Sequence, residues 1–264
     1  MAPIYGIIFD LMGTLATYTG SRGELHAAWR AGVGAVYRHL AAGGFAAPPE
    51  AFARDVQGAF DAMLARTGNP REISVAAVLA EVLPPHGFGR TPEQIEAAER
   101  VYFGPELAGW AALPGAVEAV ESLNEEGYRL AVVSNAPSHA FVEEAVARIG
   151  LRPYFSPAMS SARAGARKPD PRLFAAVAAE WHLDPANLVV VGDGLASDIA
   201  GAGAAGMRGV LVHRNANPDN AGYAGDAAPD ADLAAIADLP ALIARWQAAS
   251  GPDARPETGF VEDY

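Results

Sequence analysis

From Leu113 onward the chain alternates short apolar runs with helix-length amphipathic segments, and this rhythm restricts the fold more than any other feature. "PGAVEAVESLNEEG" has helical spacing, and "YRLAVVSN" is a buried strand that ends in polar groups. "SHAFVEEAVARIG" (helix), "YFSPAMSS" (short strand) and "DPRLFAAVAAEWH" (helix) follow. "NLVVVGD" (strand), "ASDIAGAGAAG" (helix) and "RGVLVHR" (strand) complete the series. Strands separated by helices of this length predict βαβ units and a parallel sheet. A continuous apolar run such as "NLVVV" suits a strand buried on both faces. The N-terminal stretch "YGIIFDLMGTLATY" supplies another strand of the same kind, Tyr5 to Phe9, which delivers Asp10 into a turn at Gly13-Thr14.

Between these parts, residues 22 to about 108 are helical in pattern. "ELHAAWRAGVGAVYRHL", "PPEAFARDVQGAFDAML", "EISVAAVLAEVL" and "TPEQIEAAERVYF" carry apolar residues at three- and four-residue spacing. Gly/Pro punctuation ("AAGG", "TGNPR", "PPHGFGRTP") separates them. Thr91 followed by Pro92 and Gln94 reads as a helix start, with a cap, a proline at the first position and a glutamine at the third. The expected organisation is an α/β core over 1–15 and 111–248, a helical insertion over 16–110, and a polar tail over 249–264. That tail carries the apolar pair Phe260 and Val261.

The 264 residues suffice for a sizeable core. A net charge of −12 argues against non-specific binding to nucleic acid or an anionic membrane, both of which need a basic surface. A small anionic substrate in a locally positive pocket stays compatible with it. With no cysteine, thiol nucleophiles, disulfides and cysteine-ligated metals are excluded. No apolar run approaches the roughly 18 residues of a membrane span, and the N-terminus lacks the pattern of a signal peptide. A cytoplasmic location is the expectation. The six histidines show no pairing that suits zinc. One lysine, Lys168, stands among the 19 basic residues, and a compact ammonium fits where a planar guanidinium does not.

In open parallel sheets ligands sit beyond the carboxyl ends of the strands. There the sequence delivers Asp10, with Gly13 and Thr14 in the following turn, then Ser134 and Asn135, Lys168, Asp193 and Asp198. Singly, these residues suit helix caps and turns; together they suggest one polar site.

The four segments "IIFDLMGTL", "AVVSN", Lys168 with "PDP", and "VVVGDGLASD" resemble, in order and spacing, the signature motifs of the haloacid dehalogenase superfamily. The resemblance covers roughly residues 4–18 and 113–213. It implies a Rossmann-like parallel sheet core with an inserted α-helical cap, and an Asp10 nucleophile forming a covalent aspartyl intermediate. It further implies that Gly13, Thr14, Ser134 and Asn135 hold substrate oxygens and that Lys168 neutralises charge. Asp10, the Met12 carbonyl, Asp193 and Asp198 would bind Mg²⁺. The implied substrate is a small phosphorylated metabolite, reached through cap movement about junctions near Gly20 and Pro114. Oligomeric state is not readable.

Met12 departs from the family's phosphatases, which carry there an aspartate that protonates the leaving alcohol. Methionine transfers no proton, so three readings stay open. The first is a Mg²⁺-dependent phosphohydrolase acting on good leaving groups, or borrowing an acid such as Glu24 or His26 from the insert. The second is a 2-haloacid dehalogenase-like enzyme, whose halide needs no proton. Trp29-Arg30 resembles that type weakly, while Asp193, where such relatives have a small or amide-bearing set, and Phe174, where they have a tyrosine, depart from it. The third is a non-catalytic protein that binds phosphate-like ligands. The phosphonate-cleaving type needs a cap lysine, which is missing. "GAGAAG", Gly201 to Gly206, matches a dinucleotide fingerprint, with Asp226 downstream, but it ends a helix instead of opening one.

Overall fold

The structure, a computed structural model, describes residues 1–67, 73–88, 91–213 and 216–250. In chain order the elements begin with β1 (Gly6–Phe9), β2 (Ala16–Tyr18), α1 (Arg22–Ala42) and α2 (Pro49–Thr67). Next come α3 (Val75–Val82), α4 (Pro92–Leu107), β3 (Trp110–Ala112), α5 (Ala116–Glu125) and β4 (Arg129–Ser134). Then follow α6 (His139–Arg148), β5 (Ala158–Ser160), α7 (Ser161–Ala164), α8 (Arg172–Trp181) and β6 (Leu188–Gly192). A π-helical turn (Leu195–Ile199) leads into α9 (Ala200–Ala204), β7 (Arg208–Val212), β8 (Ala231–Leu233) and α10 (Leu239–Ala248).

Six strands form one parallel sheet in the order β5-β4-β1-β6-β7-β8. β1 lies between β4 and β6, with Phe9 opposite Val132 on one side and Val191 on the other. The chain builds outward from β1 in one direction through β4 and β5. It then returns to build the other way through β6, β7 and β8. Asp10 therefore leaves the sheet where the winding reverses, the place at which an α/β sheet opens a crevice.

The strands are apolar throughout because both faces are covered. Ile7, Phe9, Leu130, Val132, Val189 and Val191 enter one cluster, which includes α5, α6 and α10 residues such as Val120, Phe141 and Leu242. Their neighbours Ile8, Ala131, Val133 and Val190 enter the other, with Leu173, Phe174 and Val177 of α8. This is the period-two division of a pleated strand. Full burial of a side chain such as Phe9 contributes about 1.5–3 kcal/mol.

The four helices α1 to α4 form a separate layer. A two-stranded antiparallel ribbon, β2 with β3, joins this layer to the sheet, pairing Ala16 with Ala112 and Tyr18 with Trp110. That ribbon lies at the edges of the stretch read as wholly helical, and three-residue strands carry too little pattern to be read locally. The helix start at Thr91 is a capping box, with Gln94 at the third position and Pro92 at the first. Ser21 and Glu24 make the same arrangement at the head of α1. α4 rests on α6: Arg100 pairs with Glu144, and Arg148 donates to the carbonyls of Ala108 at 2.9 Å and Trp110 at 3.3 Å.

β8 and α10 complete the core after the last strand expected from the sequence, "RGVLVHR". Residues 251–264, including Phe260 and Val261, lie outside the described residues, as does most of the "TGNPR" punctuation. Among the described residues no helix is long and apolar enough to cross a membrane.

Candidate active site

The polar groups that end the central strands meet at the carboxyl edge of the sheet. Asp10 follows β1, and its backbone N–H donates to Val191 O at 2.8 Å, which carries the sheet ladder up to the site itself. Lys168 reaches in from the segment between α7 and α8. Its Nζ donates to Asp10 Oδ1 at 2.5 Å and to Asp198 Oδ1 at 2.6 Å. These three side chains are at most 8% exposed. The sole lysine therefore bridges two carboxylates 158 and 30 positions away.

Asp193 follows β6, and its carboxylate lies against Gly13. Gly13 has φ +86°, and a methyl group there would collide with the Asp193 carboxylate, so the turn tolerates only glycine. Gly192 likewise leaves room for the Asp198 side chain. Asp198 sits in the π-helical turn, where its Oδ2 accepts from Gly194 N–H and the Ser197 hydroxyl, each at 3.0 Å. A π turn replaces the regular helix expected after Gly194, and such turns commonly re-aim a side chain at a functional site. The Asp193 backbone carbonyl accepts from Asn220 Nδ2 at 2.8 Å and Asn217 Nδ2 at 3.4 Å.

The electrostatics follow from burial. Asp10 is pushed up from 3.8 to about 6, first by loss of solvation and then by Asp198, with Lys168 opposing. Asp193 is pushed up to about 7, again mainly by burial, then by Asp10 and Asp198. For Lys168, burial disfavours the charge, yet Asp10 and Asp198 outweigh it and hold the ammonium well above its ordinary range. One ammonium faces three carboxylates, so the cluster is short of positive charge. Asp10, Asp193 and Asp198 each present an oxygen within 4.8 Å of the others. An all-oxygen donor set with this charge deficit fits a hard divalent cation such as Mg²⁺.

The remaining residues divide by what they touch. Ser134 is fully buried, and its Oγ has no hydrogen-bond partner, a costly state that a substrate oxygen would relieve. Thr14 donates to Asp10 Oδ2 at 3.3 Å, so its hydroxyl orients the carboxylate. Asn135 is engaged with the Lys168 backbone in both directions: Nδ2 donates to Lys168 O at 3.1 Å, and Oδ1 accepts from Lys168 N–H at 2.9 Å. Its side chain thus fixes the lysine segment. Met12 lines a large cavity that runs from the site into the helical layer. His26 also lines that cavity, whereas Glu24 is exposed and bound to Ser21 in the capping box. Trp29 and Arg30 are cavity residues too, with Trp29 Nε1 donating to Glu106 at 2.9 Å. Phe174 is buried in α8 against the position of Gly201, which is part of the "GAGAAG" run that ends a helix and packs on its neighbour.

Ser197, Asn217, Asn220 and Glu106 were not singled out from the sequence. Asn217 and Asn220 reach the Asp193 carbonyl across 24 and 27 positions and Glu106 reaches Trp29 across 77, whereas Ser197 bonds its neighbour Asp198.

A doubly wound sheet with two strand-end carboxylates, a third on the adjoining turn and a bridging ammonium defines a Rossmann-like α/β protein with a charged cluster at its sheet edge. The sequence profile of the haloacid dehalogenase-like hydrolases matches residues 4–206, and the chain belongs to that family. Curated relatives include a glyceraldehyde 3-phosphate phosphatase of Methanopyrus kandleri, 29% identical over 56% of this chain and 63% of its own length. The human haloacid dehalogenase-like hydrolase domain-containing protein 3 is 36% identical over 39% of this chain and 40% of its own length. The chain thus spans less than two thirds of both relatives. A solved 2-haloacid dehalogenase from Pseudomonas syringae pv. Tomato DC3000 superposes with a TM-score of 0.63. It shares 26% identity over 92% of this chain and 99% of that one. An HAD phosphatase from Thermococcus onnurineus gives 0.59 at 19% identity, over 91% and 98%, a likeness that speaks for the fold alone.

Proposed function

We propose that the chain is a Mg²⁺-dependent phosphohydrolase for substrates whose leaving group departs without a proton. The observation that carries this reading is the Lys168 bridge between Asp10 and Asp198, with Asp193 alongside and an unpartnered Ser134 hydroxyl on the neighbouring strand end. Phosphatases among the curated relatives point the same way.

In this reading Asp10 attacks phosphorus and the leaving oxygen departs with the bonding pair. Thr14 holds the carboxylate in the attacking orientation. Lys168 offsets charge on Asp10 and on the phosphoryl oxygens, and Ser134 donates to one of those oxygens. Water then attacks the phosphorus of the aspartyl phosphate, releases inorganic phosphate and restores Asp10. Asp10, Asp193, Asp198 and the Met12 carbonyl are the groups that would hold Mg²⁺, which supplies further charge neutralisation. Met12 gives no proton, so alkyl esters lack general acid help.

The second reading is a dehalogenase-like displacement, favoured by Met12 and by the likeness to the Pseudomonas dehalogenase. Asp193 speaks against it, since halide displacement gains nothing from a third, partly buried carboxylate. The test is a panel of acyl phosphates, aryl phosphates and 2-haloacids, with and without a chelator, using Asp10→Asn as control. Phosphate release that needs Mg²⁺ and vanishes in the control is expected. Chelator-insensitive halide release would transfer the assignment to the second reading, and no turnover at all would leave a ligand-binding protein.

A further inference from the structure

The cavity behind Met12 has a volume of ≈1480 Å³, above the range of about 300–1,000 Å³ typical of small-molecule pockets. It starts at Met12 and Asn135 beside the phosphoryl site and extends between the helices of the insert. Its walls are aromatic and aliphatic, with Tyr37, Phe60, Phe103, Trp110 and Phe141 among them. Phe141 of the core packs against both Phe103, at 5.0 Å, and Trp110, at 5.8 Å, so one apolar surface runs from core to insert. Arg30 and Arg38 belong to the lining but are exposed. The single buried charged side chain among the described lining residues is Glu106, a carboxylate whose two oxygens accept from Trp29 at 2.9 Å and Trp110 at 3.4 Å.

Resting on the phosphohydrolase reading, we infer that the leaving group is bulky, apolar and aryl-bearing, an aromatic acyl phosphate or an aryl phosphate, and that it occupies this cavity. Three features converge on that class. A two- or three-carbon polar fragment buries little apolar surface against these walls, whereas an aryl ring buries more. A carboxylate-bearing fragment meets no buried cation there, only Glu106. And Met12 demands a group that leaves as a stable anion, as a carboxylate or phenolate does. For an acyl phosphate, Asp10 Oδ forms the bond to phosphorus while the bond from phosphorus to the acyl oxygen breaks. The carboxylate leaves with the electron pair. Water then displaces Asp10 from phosphorus, giving inorganic phosphate and one proton to solvent.

The comparison of benzoyl phosphate with acetyl phosphate tests this, because both release a carboxylate and differ in apolar bulk. Burial of the aryl ring should favour benzoyl phosphate in kcat/KM by about 10- to 100-fold. Phosphoglycolate should be poorer than phenyl phosphate. Gly34 offers a second handle. It lies within α1 on the cavity wall, and a Cβ there meets only the Arg38 guanidinium at 3.5 Å. Gly34→Phe should lower the benzoyl-to-acetyl ratio by about threefold, because its ring takes up part of the wall against which the substrate ring packs. Equal turnover of acetyl and benzoyl phosphate by the unaltered protein, or a preference for phosphoglycolate, would overturn the inference and leave the phosphohydrolase reading standing. Absence of Mg²⁺-dependent turnover on every phosphate would instead sink that reading.

Discussion

At residue 12, in the proposed reading, a single side chain decides which leaving groups the site accepts. General acid catalysis contributes about 10²–10⁴-fold, and methionine forgoes all of it. Met12→Asp should therefore raise kcat on alkyl phosphates by up to that factor and change aryl and acyl phosphates little. Steady-state kinetics on matched alkyl and aryl esters check this, and an equal gain on both would mean that proton donation was not what the site lacked. Lys168 presents the opposite case, a residue whose loss leaves charge behind. Lys168→Met removes the ammonium from between Asp10 and Asp198, both nearly inaccessible to solvent. A cost of about 3–5 kcal/mol is the order seen when one partner of a buried pair is removed. Denaturant unfolding of metal-free protein at pH 8 measures it. A change below about 1 kcal/mol would show that water reaches the cluster freely.

At the scale of elements, α4 anchors the helical layer to the core. Glu99 lies on α4, buried, with its carboxyl near Ser138 at the head of α6 and the Ala76 backbone. Its Oε1 has no partner. Burial raises its carboxyl above the ordinary value of 4.5. A raised folded-state pKa means that the folded protein holds the proton more tightly than the unfolded chain. The associated stability is complete below the unfolded value and is lost as pH rises through the folded one. Glu99→Gln, which keeps the shape without the charge, should therefore gain on the parent as pH climbs from 5 to 8. Paired thermal melts across that window test it, and parallel curves would refute it. The helix boundaries themselves follow local rules: Ser21 with Glu24, and Thr91 with Pro92 and Gln94, mark starts that capping chemistry makes readable. The ribbon of β2 and β3 obeys no such rule, because its partners are more than ninety positions apart and each strand has three residues.

For the molecule as a whole, the net charge of the site couples pH to stability, and in the proposed reading metal as well. Without a cation the cluster holds Asp10 and Asp193 at about 6 and 7. These raised values make the metal-free protein lose stability as pH rises from below 3.8 through that range. Mg²⁺ should restore what is lost, raising Tm more at pH 8 than at pH 5.5, where protons already compensate the carboxylates. Saturation at about 100 times Kd corresponds to about 2.7 kcal/mol. A Mg²⁺ effect that is the same at both pH values would argue against these carboxylates as the binding groups.

The sequence by itself determined the alternation of buried strands and helices, and with it the parallel sheet. It also determined which residues end the strands, because burial on two faces needs unbroken apolar runs and the polar groups that follow stand out against them. Only the tertiary structure decided the order β5-β4-β1-β6-β7-β8, the seating of Lys168 between Asp10 and Asp198, and the engagement of Asn135 with the lysine backbone. It also decided the apolar cavity behind Met12. Spacing along a chain reports on neighbours within a turn or a strand. Contacts across 30 to 158 positions depend on how layers pack, and no local pattern encodes that.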